Sequence, residues 1–269
     1  MSEGPTADTS WLESMPEVYD RCLGLAIFAP YAAELALRAS AVPHGRVLEL
    51  AAGTGIVTAG LVEALPDAEI TATDLNQAMV AYASARTPGP TWEVADAQAL
   101  SYADDSFDLV VCQFGVMFLP DRIGAYRGVR RVLAPGGSFL FNVWDTLESH
   151  EVESAVIDTM AELFPDDPPD FLRRVPHGYA DPSRLRADVQ AAGLTLADLD
   201  RVQLTGKAPS AAVLAEGYCL GTPLRFELQE RGDLADLVPR VTKALTRRLG
   251  DGLIEGEMSA YVVRAVAPA

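Results

Sequence analysis

The sequence predicts an α/β protein built on a doubly wound, mostly parallel sheet with helical insertions. Three observations predict it. Between residues 46 and 144, short apolar segments alternate with helical patterns of about ten residues, and that rhythm builds βαβ units. Segments such as Leu109-Val110-Val111 and Phe139-Leu140-Phe141 are apolar at consecutive positions, as strands covered on both faces must be. The first apolar segment runs into a glycine-rich turn, Leu50-Ala51-Ala52-Gly53-Thr54-Gly55. The carboxyl end of a strand followed by such a turn is where open α/β sheets bind ligands.

The elements follow in order. Residues 1 to 14 are polar and are expected to fray. A helical pattern runs from Glu17 to Ala41, with Pro30 as a break or kink. Strands are expected at Arg46–Leu50, Ala68–Thr73, Thr91–Ala95, Phe107–Gln113 and Ser138–Trp144. Helices are expected at Gly55–Leu65, Gln77–Arg86 and Arg122–Leu133, the last stopped by Pro135-Gly136-Gly137. After Trp144 the rhythm breaks. A helix at Val152–Leu163 leads into a proline-rich acidic loop holding Pro165, Pro168, Pro169 and Pro176. A helix at Pro182–Ala192 and a strand at Leu196–Leu204 return to the core pattern. Residues 206–257 read as mostly helical, and Ala260–Val266 as a last strand. The expected organisation is therefore an N-terminal helical lid (1–42), a core (43–145), a cap insertion (146–180), the core continued (181–205), a second helical insertion (206–257) and a last core strand (258–269).

Composition narrows the function. The 269 residues are 49% hydrophobic and 22% charged, an ordinary globular balance that allows one sizeable core with insertions. Twenty-one Lys and Arg face 38 Asp and Glu, for a formal net charge of −17. Nucleic-acid binding runs on basic residues that neutralise phosphates, and anionic membranes select for them too; neither partner is expected. Cys22, Cys112 and Cys219 have no paired spacing, which argues against a disulfide framework and a zinc site. The stretch from Leu23 to Val42 is interrupted by Pro30, Glu34 and Arg38 and is read as too broken to span a membrane. A cytoplasmic protein is expected.

The chemistry centres on the glycine turn. A dinucleotide fingerprint needs a third glycine at position 58, which is Thr58. Glu49, at the end of the first strand, repels a pyrophosphate and attracts a cation. The turn therefore suits a positively charged nucleoside better than NAD. Asp74 ends the second strand, 19 residues after Gly55, the distance at which an acid reaches ribose hydroxyls. Asp96 follows the third strand. Any one of these acids alone reads as a solvated loop residue; at three successive strand ends they form a constellation.

These segments resemble a class I S-adenosylmethionine-dependent methyltransferase, of the type that includes the ubiquinone/menaquinone-biosynthesis C-methyltransferases. VLELAAGTG resembles the first family motif, TATDLNQAMV the second, VADAQALSYADDSFDLVVCQFGVMFLPD the third and fourth, and RRVLAPGGSFLFNVWD the turn into the fifth strand. The resemblance spans about residues 44 to 145. It implies a Rossmann-like seven-stranded sheet with helical cap insertions, and S-adenosyl-L-methionine as cofactor. It also implies roles: Glu49 facing the methionyl amine, Ala51, Gly53 and Gly55 lining the methionine moiety, Asp74 on the ribose and Leu75 on the adenine. Asp96 and the Ala97 N–H meet the adenine edge, and Gln113 and Phe114 border the methyl donor. Ala51 stands where the family carries its first glycine, so a positive φ there is expected to be uncomfortable. An NAD-type turn or a degenerate site stays as the alternative.

The acceptor is expected to be a small, apolar or aromatic molecule, closed in by the N-terminal helix and the two insertions. Alignment and desolvation supply most of the acceleration in such a transfer. Where a general base is used, the candidates are His150 and His177; Tyr19, also a catalytic candidate, joins Trp144 and Tyr218 as a candidate for holding a planar substrate or facing the sulfonium. His44 precedes the first strand and reads as structural; Met117 and Phe118 read as ordinary core. Asp166, Asp167 and Asp170 read as a solvated loop and no metal is expected. A protein methyltransferase and a non-catalytic nucleoside-binding scaffold remain as competing readings.

Overall fold

The computed structural model describes residues 10–269; of the segment expected to fray, residues 1–9 lie outside the described residues. Helix α1 (Ser10–Tyr19) instead begins at Ser10. It passes into a π-helical segment, Asp20–Phe28, and then into α2 (Ala29–Ser40). The expected break at Pro30 is therefore a change of winding. Proline has no N–H and crowds the carbonyl four residues back. Here the Ala29 N–H bonds to Gly24 O, five residues back. The Ala26 carbonyl lies so close to the far strand that a Cβ on Gly206 would meet it at 2.6 Å.

The core then alternates as expected: β1 (Arg46–Glu49), α3 (Ile56–Ala64), β2 (Glu69–Asp74), α4 (Gln77–Arg86), β3 (Thr91–Val94), β4 (Phe107–Gln113), α5 (Arg122–Val132) and β5 (Leu133–Trp144). Strand β5 starts five residues earlier than expected. Its pairing with β4 jumps from Phe107–Leu133 to Leu109–Ser138, so Pro135-Gly136-Gly137 is an irregular lead-in to the strand. After β5 come α6 (Glu151–Leu163), the short α7 (Phe171–Arg174) inside the proline-rich loop, and α8 (Pro182–Ala191). Strand β6 (Thr195–Ala208), helices α9 (Ala211–Gly221), α10 (Leu224–Gln229) and α11 (Leu234–Leu249), and β7 (Ile254–Val266) complete the chain.

The strands form one seven-stranded sheet in the order β3-β2-β1-β4-β5-β7-β6. Pairs within β1–β5 are parallel, and β7 runs antiparallel between β5 and β6. Alternate residues of one strand feed opposite faces: Leu109 and Val111 pack with Leu35 of α2 and Leu61 of α3, whereas Val110 packs with Tyr126 and Val129 of α5. Consecutive apolar residues in β4 are thus explained by two helical layers.

Strands β6 and β7 are longer than expected. Val202 and Ala260 pair level with Trp144, and the pairing continues from there to Ala208 and Ile254. The two strands project past the sheet edge as an arm, so the helical part of the second insertion is confined to the residues between them. The helix from Met15 to Ser40 has the length and mean hydropathy, 1.4, of a membrane span, contrary to the expectation of a broken stretch. The fold buries 56% of its most apolar window, which is how a core helix meets the same test.

Candidate functional site

The parallel register places the carboxyl ends of β1 to β4 along one edge, and the predicted residues lie along it. After β1 the chain turns through left-handed backbone at Ala51 (φ +52°), Gly53 (φ +56°) and Gly55 (φ +84°). For alanine that conformation costs roughly 1–2 kcal/mol, and the surroundings hold it in place. Gly53 N–H donates to Asp74 Oδ2 at 2.8 Å, Ala52 N–H to the Thr73 carbonyl at 2.8 Å, and the Thr73 hydroxyl to the Glu49 carbonyl at 2.8 Å. The Ala51 methyl fills space that only a glycine at 115 leaves open: a Cβ there would lie 2.6 Å from it. A Cβ on Gly53 would meet nothing within 4 Å, so the turn presents bare backbone to a cleft.

Glu49 is the electrostatic centre of that cleft. It is 1% exposed, and its Oε2 has no hydrogen-bond partner. Burial pushes its carboxyl up to about 8, and the nearby Asp74 adds to the rise. A buried carboxylate without a partner is costly, and a ligand cation is what relieves it. The cleft opens between Tyr19, Phe28, Glu49, Gly53 and Gln113.

Asp74, at the end of β2, accepts from Gly53 N–H and, through Oδ1, from Asn76 N–H at 2.8 Å. Burial raises its pKa against both bonds. Each carboxylate oxygen keeps a lone pair for a hydroxyl. Leu75 is 70% exposed at the rim. Asp96 and Ala97 follow β3, and Asp96 Oδ1 is partly used by Gln98 N–H at 2.8 Å. At the end of β4, Gln113 Nε2 donates to the Phe28 carbonyl at 3.3 Å, while its Oε1 is buried without a partner. Phe114 holds φ +50°, pinned by its N–H donating to Asn142 Oδ1 at 2.9 Å. Left-handed backbone in a bulky residue is strain of the kind that gathers at functional sites.

Phe114 stacks on Trp144 at 3.6 Å and 12°, and this pair forms a wall of a second chamber. Tyr19 and Phe28 line both spaces and stack on each other at 4.9 Å. The chamber is apolar along Met117, Phe171 and Leu172, and polar where Glu153, His177 and Tyr218 meet. Met117, read from sequence as core, is buried and also lines this chamber; Phe118 lines it too and is 49% exposed.

The structure brings His150 and His177 together, with ring centroids 4.6 Å apart, although 27 positions separate them in sequence. Their placements differ. His150 is fully buried with neither nitrogen hydrogen-bonded, its Nδ1 3.7 Å from Glu153 Oε2. His177 lies on the chamber wall, and its Nδ1 is 2.8 Å from the Asp145 carbonyl. Burial and neighbouring His150 hold His177 below the ordinary histidine value. Glu153 was not singled out from the sequence; the signal was its spacing, one helical turn after His150. Tyr19 is pushed far above the ordinary phenol value by burial and then by Asp74 and Asp20, so it keeps its proton. Asp167 and Asp170 pair with Arg231 and Arg174. His44 Nδ1 lies 2.5 Å from the Val42 carbonyl, before β1 and at the opposite edge.

An open α/β sheet with a glycine turn, successive strand-end acids and an unpaired buried carboxylate defines a nucleoside-binding protein whose ligand carries a positive charge. Residues 48–141 match the family model of a methyltransferase domain. The chain is 33% identical over 177 residues to a malonyl-acyl-carrier-protein O-methyltransferase of Halorhodospira halophila, covering 58% of this chain and 60% of that one. It is 30% identical over 173 residues to a ubiquinone/menaquinone biosynthesis C-methyltransferase of Burkholderia mallei, covering 58% and 70%. In structure it is similar to a phosphoethanolamine N-methyltransferase of Haemonchus contortus in complex with S-adenosyl-L-methionine, with TM-score 0.58 and 15% identity, over 100% of this chain and 62% of that one. The chain belongs to the class I S-adenosylmethionine-dependent methyltransferases. The cofactor of that family carries a cationic amino group and ribose hydroxyls, which fit the unpaired Glu49 and the free lone pairs of Asp74.

Proposed function

We propose that this chain transfers a methyl group from S-adenosylmethionine to a small apolar or aromatic molecule held in the second chamber. The observation that carries the reading is the pairing of two spaces. A cleft with an unpartnered buried carboxylate adjoins an apolar chamber, and Tyr19 and Phe28 line both. When bound, the cofactor supplies an electrophilic methyl group on a sulfonium. Glu49 holds the methionyl amine by charge, Ala51, Gly53 and Gly55 give it backbone without side-chain bulk, and Asp74 accepts from the ribose hydroxyls. Leu75 covers the adenine, whose edge meets Asp96 and the Ala97 N–H. Gln113 and Phe114 border the methyl group. Tyr19, Phe28 and Trp144 exclude water, which strengthens every charge interaction inside the site.

The described residues 10–42 of the N-terminal segment, residues 146–180 and the helical part of 206–257 act as lid pieces over the core segments 43–145, 181–205 and 258–269. The acceptor is a small molecule rather than a nucleic acid, in keeping with the net charge of −17, and the setting is cytoplasmic. Titration calorimetry with S-adenosylhomocysteine tests the site. Glu49→Gln is expected to weaken binding ten-fold or more, about 1.4 kcal/mol. Unchanged affinity in that variant contradicts the assignment.

A further inference from the structure

We propose that the acceptor is a phenol and that His177 is the base that takes its proton. This rests on the methyltransferase reading above. The walls that meet an aromatic body are Phe114, Trp144 and Met117, and the chamber's polar side groups sit at one end. At that end Glu153 and His177 offer acceptors, and Tyr19 keeps its proton on the neighbouring wall. The Tyr218 hydroxyl is spent on Glu153 Oε1 at 2.7 Å, and Glu153 Oε2 faces His150. A carbonyl only accepts, so the His177 nitrogen 2.8 Å from Asp145 O carries the ring hydrogen. Nε2 is left with a lone pair.

The tautomer is locked from behind. The Asp145 carboxylate takes Arg201 Nε at 2.5 Å, Ser259 Oγ at 3.0 Å and Thr146 N–H at 2.7 Å, which fixes the backbone whose carbonyl orients His177. A group entering this end must bring a hydrogen. The function that His177 presents is a neutral base, and a phenol is a neutral acid that such a base deprotonates.

The step balances without another reactant. The phenol O–H bond breaks with its pair on oxygen, and the proton goes to His177 Nε2. Oxygen forms the new O–CH3 bond while the S–CH3 bond of the sulfonium donor breaks with its pair left on sulfur. The imidazolium then returns its proton to water. The charged and titratable groups around His177 are His150 and Glu153 on and beside α6, Glu148 in the turn before it, Asp145 after β5, and Tyr218 on α9. Burial and His150 favour the neutral ring, and the Asp145 carbonyl, Glu153 and Glu148 oppose them.

The test uses the full chain saturated with S-adenosylhomocysteine and two probes, para-nitrophenol and para-nitroanisole, which share a body but not the proton. Wild-type protein is expected to bind para-nitrophenol at least ten-fold more tightly, and to show phenolate absorbance at a pH below that at which the free probe ionises. His177→Asn keeps an N–H for the Asp145 carbonyl and removes the base. It is expected to abolish both effects while leaving para-nitroanisole and S-adenosylhomocysteine binding unchanged. The proposal is overturned if the two probes bind wild type equally, if neither binds, or if the variant loses both probes alike. The wild-type titration stands by itself should the variant not fold. Failure of wild type to bind S-adenosylhomocysteine overturns the methyltransferase reading instead.

Discussion

Glu49 sets the pH behaviour of the site. Its folded pKa, about 8, lies above its ordinary value of 4.5. As pH rises between those two values the unfolded chain releases a proton that the folded chain keeps, so the stability of the ligand-free protein falls across that window. The size is on the order of a few kcal/mol. Thermal unfolding of the ligand-free protein from pH 5 to pH 8 is expected to show a decline that Glu49→Gln lacks; parallel declines contradict a buried, unpartnered carboxylate. The glycine turn gives a second residue-scale test. Ala51 already holds φ +52°, so Gly53→Ala at φ +56° is expected to cost only about 1–2 kcal/mol. Because its Cβ enters the open cleft, it is expected to weaken S-adenosylhomocysteine binding beyond that cost. Denaturant unfolding and calorimetry separate the two effects. Glu49, Asp74 and Asp96 were legible because parallel strands carry their last residues to one edge. Glu153 was not, because one acid on an amphipathic helix looks like any other until the fold buries it.

At the scale of elements, the N-terminal helix is latched over the turn through one side chain. Thr54 donates to Asp20 Oδ1 at 3.3 Å and Tyr82 to Oδ2 at 3.0 Å, while Arg86 stands 3.5 Å away. Asp20→Ala is expected to cost about 1–3 kcal/mol and to speed release of S-adenosylhomocysteine, measured by denaturant unfolding and stopped-flow dissociation. Release at the wild-type rate contradicts a latch. Gly206 is the other tight joint, where any Cβ meets the Ala26 carbonyl at 2.6 Å. Gly206→Ala is expected to lower the unfolding midpoint by pushing β6 off the π-helical segment. The alternation of β1 to β5 with helices was legible from apolar runs and their stops. The π segment was not: its apolar residues read as an ordinary helical face, and Pro30 reads as a break when only the α register is considered. The arm formed by β6 and β7 was cut short for a similar reason. Its outer residues alternate without a strong apolar face: 203, 205 and 207 are exposed, and the inward positions beyond Leu204 are only Gly206 and Ala208.

For the whole molecule, the two spaces have different origins. The cleft at the glycine turn is built on residues 49–113, where motif order made its place on the sheet readable, and is completed by Tyr19 and Phe28. The second chamber gathers Phe28, Trp144, His177 and Tyr218 from four separate parts of the chain, and no local pattern announces that meeting. The family model covers residues 48–141, and the chain spans 60% of the length of the Halorhodospira relative. The central claim is that the edge of the sheet holds an S-adenosyl nucleoside. Its most direct test is the unfolding temperature of the full chain with S-adenosylhomocysteine at a hundred times its Kd, with NAD as the control. Binding at that level stabilises the fold by about 2.7 kcal/mol, and each kcal/mol is worth roughly 2–4 °C at this length. The account predicts that upward shift with S-adenosylhomocysteine and none with NAD. No shift with S-adenosylhomocysteine, or an equal shift with NAD, contradicts it.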